Sequence, residues 1–311
     1  MPAQPAPIEV LDPEAAIVIA ARAAIPAADL SEMRLKYETV GRRFAPEVPP
    51  DMSVRDIEIE FRDTGSVSVR SYLPAGAPVT EGLLVWAHGG GWIIGSAAGF
   101  DGTAAALAAH SGTRTLSIDY SLAPENPFPC ALDEVRAVID WVRTAEASDM
   151  LGHDPARVVV GGDSAGGNLI TVAAAQASGA VPLAGQVLAY PVTDCRVSTA
   201  SDTPSPALTA EALTTCWQLY LGDTERAPHP DFSPIHGDLA GLPPTLLVLA
   251  GLDILYDTGV IYGQALRAAG VPTEIVTYSD LPHVFLEWAR EVRRSRHAHA
   301  LIGDFVRARV A

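Results

Sequence analysis

The sequence is poor in lysine and in long apolar runs, and each shortage excludes a class of protein. Lys36 is the only lysine among 21 basic residues, and the formal net charge is −16. Nucleic acids and anionic membrane surfaces are bound by clustered basic side chains, so neither is an expected partner. No uninterrupted apolar run approaches the roughly 18 residues that a membrane-spanning helix needs.

Cysteine is also scarce. The three cysteines are an odd number and form no CxxC pair, so neither a disulfide framework nor a thiolate metal site is indicated. Acidic residues precede Arg22, the first basic residue, which is the reverse of a secretory signal peptide. These features favour a cytoplasmic protein.

Hydrophobic patterning divides the chain into two parts. Residues 1–50 are alanine-rich with apolar residues at helical spacing, which predicts an N-terminal helical cap segment. Residues 51–311 show two alternating strand patterns and then short apolar runs separated by helical patterns, the last helix starting near residue 286. This predicts one α/β domain with a mostly parallel sheet flanked by helices. Residues 196–225 interrupt the alternation and are predicted to be an insertion that contributes to the cap.

One serine stands between glycines where a predicted strand meets a predicted helix. The sequence GDSAG at residues 162–166 is a GxSxG pattern in the context that makes it informative. Its glycines permit a sharp turn that exposes the hydroxyl of Ser164, and the following helix directs its positive end toward that hydroxyl. The pattern therefore predicts a nucleophile, and the alternative is a glycine-rich turn with an incidental serine.

A serine hydroxyl needs a base, and the base needs an acid that orients it. Lys36 lies in the N-terminal segment and no SxxK pattern occurs, so the base is expected to be a histidine. His283 follows the last predicted strand, at a sheet edge that carries active-site groups. Asp253 follows the preceding strand and completes the order Ser, acid, His of the α/β hydrolases. Asp257, about one helical turn later, is the alternative acid.

Backbone N–H groups are expected to stabilise the oxyanion of such a reaction. The segment HGGGW at residues 88–92 follows a predicted strand and supplies three candidate donors, Gly89, Gly90 and Gly91. The amide of Ala165, next to the serine, is a further donor. Trp92 and Trp217 are candidate substrate contacts, with core packing as the alternative for each.

Six ordered motifs between about residues 80 and 290 resemble the hormone-sensitive lipase family, the bacterial family IV carboxylesterases. They are HGGGW, DYSLAPENPFP, GGDSAGGN, DFSPIHGDLAGLPPT, AGLDIL and LPHVF. The resemblance implies an α/β-hydrolase fold with a helical cap and a triad of Ser164, Asp253 and His283. It also implies hydrolysis of short-chain acyl esters without a metal ion or cofactor. Many members form dimers, so a homodimer is an expected assembly.

The sequence departs from the family pattern at three positions. Val284 replaces the usual glycine after the histidine, Ser121 replaces an arginine, and the acid is followed by DTG at residues 257–259 rather than DEG. These departures predict differences in pocket shape and local stability. The same triad would serve a lactone, carbamate or amide hydrolase or an acyltransferase. A non-catalytic small-ligand receptor on this fold is a further alternative, although family relatives of that kind lack the histidine.

Overall fold

The computed structural model describes residues 11–61, 65–76, 81–177, 181–196, 205–222 and 228–311. A single eight-stranded sheet runs through them. Its strands are β1 (Ser53–Phe61), β2 (Gly65–Leu73), β3 (Leu83–Ala87), β4 (Arg114–Asp119), β5 (Val158–Asp163), β6 (Gly185–Ala189), β7 (Thr245–Leu252) and β8 (Thr273–Pro282). The α-helices of the described residues are α1 (Pro13–Ala23), α2 (Leu30–Phe44), α3 (Asp101–Ser111), α4 (Cys130–Trp141), α5 (Ala145–Leu151), α6 (Ala165–Gln176), α7 (Ala210–Leu221), α8 (Tyr256–Ala268) and α9 (Arg293–Val310).

The strand order is β1-β2-β4-β3-β5-β6-β7-β8. β1 pairs with β2 and β2 with β4 in antiparallel fashion, whereas every later pair is parallel. The predicted mostly parallel sheet is therefore confirmed. β5 lies between β3 and β6, so the turn after β5 opens at the middle of the sheet's carboxyl edge.

Two apolar cores explain why the central strands are apolar on both faces. Every residue of β3 and β5 is buried. One core includes side chains of α4, α6 and α8, and the other includes side chains of α3 and α9. In a parallel sheet that is covered on both faces, functional side chains can contact a ligand only at the ends of the strands, because that is where the loops reach solvent.

The edge strand β1 has a different character. Its inward residues are Ile57 and Ile59, and the charged residues before, between and after them are exposed. These exposed residues are Arg55, Asp56, Glu58 and Glu60.

The N-terminal segment is helical, and two hydrogen bonds attach the start of α1 to β8 and to the start of α9. The Asp12 amide donates to the Asp280 carbonyl at 3.0 Å, and Glu14 accepts from the Arg293 amide at 2.6 Å. Side-chain oxygens of Asp12 and Asp29 cap the first turns of α1 and α2. Residues 1–10 of the expected cap segment lie outside the described residues.

Two further expectations have partial outcomes. The expected insertion at residues 196–225 contains α7, while residues 197–204 and 223–227 lie outside the described part of the chain. The last helix begins at Arg293 rather than near residue 286, because Phe285–Trp288 forms a separate turn of 3-10 helix. No helix of the described residues is both long and apolar enough to cross a lipid bilayer.

Candidate active site

Ser164 occupies a strained turn between β5 and α6. Its φ of 52° and ψ of −118° lie in a region that non-glycine residues rarely adopt. The flanking glycines make the turn feasible, because a Cβ on Gly166 would lie 2.0 Å from the Ala87 carbonyl oxygen. A Cβ on Gly162 would lie 2.5 Å from the carbonyl carbon of Gly166. The GxSxG pattern is thus a packing requirement at this strand–helix crossing.

The structure brings Ser164, His283 and Asp253 into one hydrogen-bonded chain. Ser164 Oγ lies 2.8 Å from His283 Nε2, and His283 Nδ1 lies 2.6 Å from Asp253 Oδ2. The three residues are 5%, 3% and 1% exposed, respectively. The second carboxylate oxygen of Asp253 accepts the Leu255 amide at 3.0 Å, which fixes its orientation. Asp257, the alternative acid, is exposed and takes no part in the hydrogen bonds between Ser164, His283 and Asp253.

The glycine loop offers two N–H groups at this site rather than three. The Gly89 amide donates to Asp163 Oδ1 at 3.0 Å and is therefore engaged. Gly90 and Gly91 adopt φ values of 121° and 58°, and within the described residues their N–H groups donate to no protein acceptor. The Ala165 amide is the first of α6 and has no intrahelical acceptor. The expectation for Gly89 is thus revised to a structural role.

Asp163 anchors the glycine loop, residues 88–92, to the sheet. It accepts from Gly89 N and from Trp86 Nε1, the latter at 3.2 Å. Complete burial raises the pKa of Asp163 well above its usual range, and nearby Glu287 adds to this. His88 supports the same loop, since its carbonyl accepts the Tyr120 hydroxyl at 2.7 Å and its ring stacks on Tyr120.

A second buried carboxyl, Glu287, was not identified from the sequence. Burial raises its pKa to about 7, and the Tyr37 hydroxyl donates a hydrogen bond to it. It lies in the segment FLEW, where one acid stands among large apolar residues. Such a position signals a buried acid, but its hydrogen-bond partner lies on α2, 250 residues away in sequence.

A cavity of about 90 Å³, here called the serine cavity, opens beside the nucleophile. Gly90, Gly91, Ser164 and His283 line it, with an apolar wall that includes Leu208 and Leu213. Trp92 and Trp217 do not line it. Both indole rings are fully buried and pack against each other with centroids 4.4 Å apart, so the geometry does not support direct substrate contact by either.

Two of the departures from the family pattern have local structural counterparts. Val284 adopts a left-handed conformation with φ of 61° and lines the serine cavity. Ser121 donates through its amide and its hydroxyl to the two carboxylate oxygens of Glu134, at 2.6 and 2.7 Å. Within the described ranges, no group of three or more His, Cys, Asp or Glu side chains could hold a metal ion.

The sheet order, the strained turn after β5 and the histidine after β8 define an α/β hydrolase. A family model described as the α/β hydrolase fold matches residues 84–287. The chain belongs to that family and, within it, to the hormone-sensitive lipase family.

Several proteins that are similar to this chain are named as esterases. The chain is 34% identical to "Esterase LipI" of Mycobacterium tuberculosis over 260 residues, which are 81% of this chain and 80% of that protein. It is 33% identical to "Ethyl acetate hydrolase" of Pseudomonas putida, with 84% of each chain covered. Among solved structures, an esterase of the archaeon Pyrobaculum calidifontis superimposes with a TM-score of 0.85 at 30% identity, covering 97% of this chain and 100% of that one.

Proposed function

We propose that this protein is a serine carboxylesterase that hydrolyses short-chain acyl esters through Ser164, His283 and Asp253. The observation that carries the proposal is the continuous hydrogen-bonded chain from Asp253 Oδ2 through the imidazole to Ser164 Oγ, at the wall of a cavity. Membership of an esterase family supports the same reaction class.

The reaction proceeds in two acyl transfers. Ser164 Oγ attacks the ester carbonyl carbon while His283 Nε2 takes its proton, and Asp253 stabilises the imidazolium that forms. The N–H groups of Gly90, Gly91 and Ala165 donate to the oxyanion. His283 then gives the proton to the departing alkoxide. Water, activated by the same imidazole, attacks the acyl-enzyme and releases the carboxylic acid.

The size of the serine cavity favours short acyl groups. Its volume is about 90 Å³, and an apolar wall that includes Leu208 and Leu213 surrounds the position that we assign to the acyl group. We further propose a cytoplasmic location, from the sequence features given above, and a homodimer, from the family resemblance. Cell fractionation and light scattering of the purified protein test these two points.

The first experiment compares p-nitrophenyl acetate, butyrate, octanoate and laurate. We expect wild-type activity to be highest on the two short esters and to fall by about 10⁴-fold or more in Ser164→Ala. Ser53→Ala, which changes an exposed serine at the start of β1, is the matched control and should retain wild-type rates.

The outcomes separate the alternatives. Undiminished hydrolysis by folded Ser164→Ala would remove Ser164 from the mechanism. The wild-type protein could be inactive on all four esters and still be labelled at Ser164 by a serine-directed phosphonate. That result would indicate a lactone or amide substrate. Absence of both activity and labelling would indicate a non-catalytic ligand-binding protein.

A further inference from the structure

A second cavity adjoins the serine cavity beneath the N-terminal helices. This side cavity measures about 240 Å³ and is formed by α1, α2 and the segment that follows the histidine. Arg22, Met33, Tyr37, Ile94 and Val284 line both cavities. A substrate bound at Ser164 therefore has a direct continuation into the side cavity.

Two cations line the side cavity without an ion pair to any described residue. Arg22 on α1 and Lys36 on α2 both line it, and both are partly buried. Neither side chain makes an ion pair or a hydrogen bond in the part of the chain that the structure describes. Burial, together with the like charge of Arg22, lowers the pKa of Lys36. A bound anion would stabilise both cations, because it would offset the repulsion between them.

One carboxyl, that of Glu287, offsets this pair only in part, and the charge of Arg22 lowers the pKa of that carboxyl. Glu287 is the only carboxyl among the described residues that line it. Its oxygen is held by the Tyr37 hydroxyl rather than by either cation, and burial raises its pKa to about 7. Near neutral pH the carboxyl is therefore protonated in a substantial fraction of molecules, and positive charge dominates the side cavity.

We propose that the side cavity binds a carboxylate of the substrate, so that the preferred substrates are short esters that carry a carboxylate on their acyl or alcohol portion. This rests on the proposed function, since it concerns the same ester-hydrolysing site. The net charge of −16 repels anions at long range, but salt screens that field, whereas two partly buried cations act at close range. The sole lysine of the chain lies at this position.

The test uses pairs of esters that differ only in charge. Monomethyl glutarate and its neutral amide, methyl glutaramate, place the group on the acyl side, whereas O-acetyl-lactate and O-acetyl-lactamide place it on the alcohol side. Hydrolysis is followed by NMR. We expect kcat/KM to be about tenfold higher for the anionic ester of at least one pair.

Single substitutions then assign the preference to the two cations. Arg22→Gln and Lys36→Gln should each reduce the anionic-to-neutral ratio of kcat/KM by about threefold to tenfold. Arg43→Gln, which removes an exposed charge from the same helix as Lys36, is the matched control and should keep the wild-type ratio. As an independent readout, glutarate should inhibit hydrolysis of p-nitrophenyl acetate less strongly in Arg22→Gln than in wild type.

The failures of the two proposals are distinguishable. If wild type hydrolyses p-nitrophenyl acetate but shows no anionic preference in either pair, the side cavity is not an anion site and the esterase proposal stands. A preference that is unchanged in both Gln variants would also overturn the inference. Wild type inactive on every ester would overturn the proposed function itself.

Discussion

Val284 holds a backbone conformation that a β-branched residue rarely adopts. It follows His283, has φ of 61° and is only 7% exposed. The left-handed conformation costs about 1–2 kcal/mol for a residue with a Cβ, and the family usually has glycine here. The valine side chain nevertheless forms part of the wall of both cavities. The side chain of Val284 therefore narrows the site, while its backbone remains strained.

Substitution of Val284 should reverse the usual ranking of alanine and glycine. Val284→Ala keeps the strained φ and loses buried apolar surface, so we expect it to lower the free energy of unfolding by about 1–2 kcal/mol. Val284→Gly relieves the strain and should be the more stable of the two variants. Urea denaturation measures both. An alanine variant more stable than the glycine variant would contradict the strain argument.

Asp253 and Asp257 form a matched pair of substitutions. Asp253→Asn removes the acceptor that fixes the proton on His283 Nδ1, so kcat should fall by about 10³-fold to 10⁴-fold. Asp257→Asn changes an exposed carboxyl and should leave kcat within about twofold of wild type. The assay is hydrolysis of p-nitrophenyl butyrate. Equal losses in both variants would contradict the assignment of Asp253 as the orienting acid.

At the scale of secondary-structure elements, one arginine joins α2 to the glycine loop. Arg34 donates through Nε to the Ile93 carbonyl at 2.8 Å and through Nη2 to the Ala123 carbonyl at 3.0 Å. Both guanidinium Nη atoms also contact the carboxylate of Glu125, at 2.8 and 2.7 Å. The N-terminal segment thus positions the loop that carries the Gly90 and Gly91 amides.

Loss of this link should affect the reaction more than the binding of substrate. In Arg34→Met we expect kcat to fall by about tenfold with KM within about threefold, because oxyanion donors act on the transition state. Arg42→Met, which removes an exposed i,i+4 ion pair from the same helix, is the control. A change confined to KM, or equal effects in both variants, would contradict a positioning role for Arg34.

The secondary-structure elements that the sequence predicted correctly are those with a strong local hydrophobic pattern. The two alternating patterns and the short apolar runs became the strands of the sheet, because burial on one or both faces leaves a pattern that can be read directly. The short helix α5 was not identified, since its seven residues, AEASDML, span only about two turns and are too few to show a helical periodicity. The start of α9 was misplaced because Phe285–Trp288 continues the apolar pattern as a separate 3-10 turn.

Some features of the candidate site could be predicted from the sequence, and others required the structure. Ser164, His283 and Asp253 could be selected because their positions at strand ends follow from chain order. The engagement of the Gly89 amide and the grouping of Arg22 with Lys36 depend on which loops and helices pack together. No spacing in the sequence encodes those contacts, so they required the structure.

At the scale of the whole molecule, buried titratable groups make stability depend on pH in two opposite ways. Burial raises the pKa of Glu287 from 4.5 to about 7, so the folded protein retains a proton that the unfolded chain has released. The free energy of unfolding therefore falls as pH rises from about 4.5 through 7. Burial lowers the pKa of His299 from 6.5 to about 4, so its contribution is complete above pH 6.5 and is lost as pH falls toward 4.

Comparison with Glu287→Gln isolates the carboxyl contribution. The amide that this substitution introduces would accept the Tyr37 hydroxyl but cannot ionise, so the variant should match wild type near about pH 5. It should be more stable than wild type by about 1–3 kcal/mol near about pH 8.5. Urea denaturation at the two pH values measures this difference. Glu274→Gln, exposed on β8, is the control and should show no such pH-dependent gain.

Among the residues that the structure describes, the outer strand β1 has no strand partner on one side. Such an edge is a template on which another polypeptide could add a strand, and this is how many β-rich proteins begin to aggregate. Four charged residues of β1 are exposed: Arg55, Asp56, Glu58 and Glu60. The side chains of an added strand would have to pack beside these charges. The charges on β1 therefore disfavour the addition of a further strand at this edge.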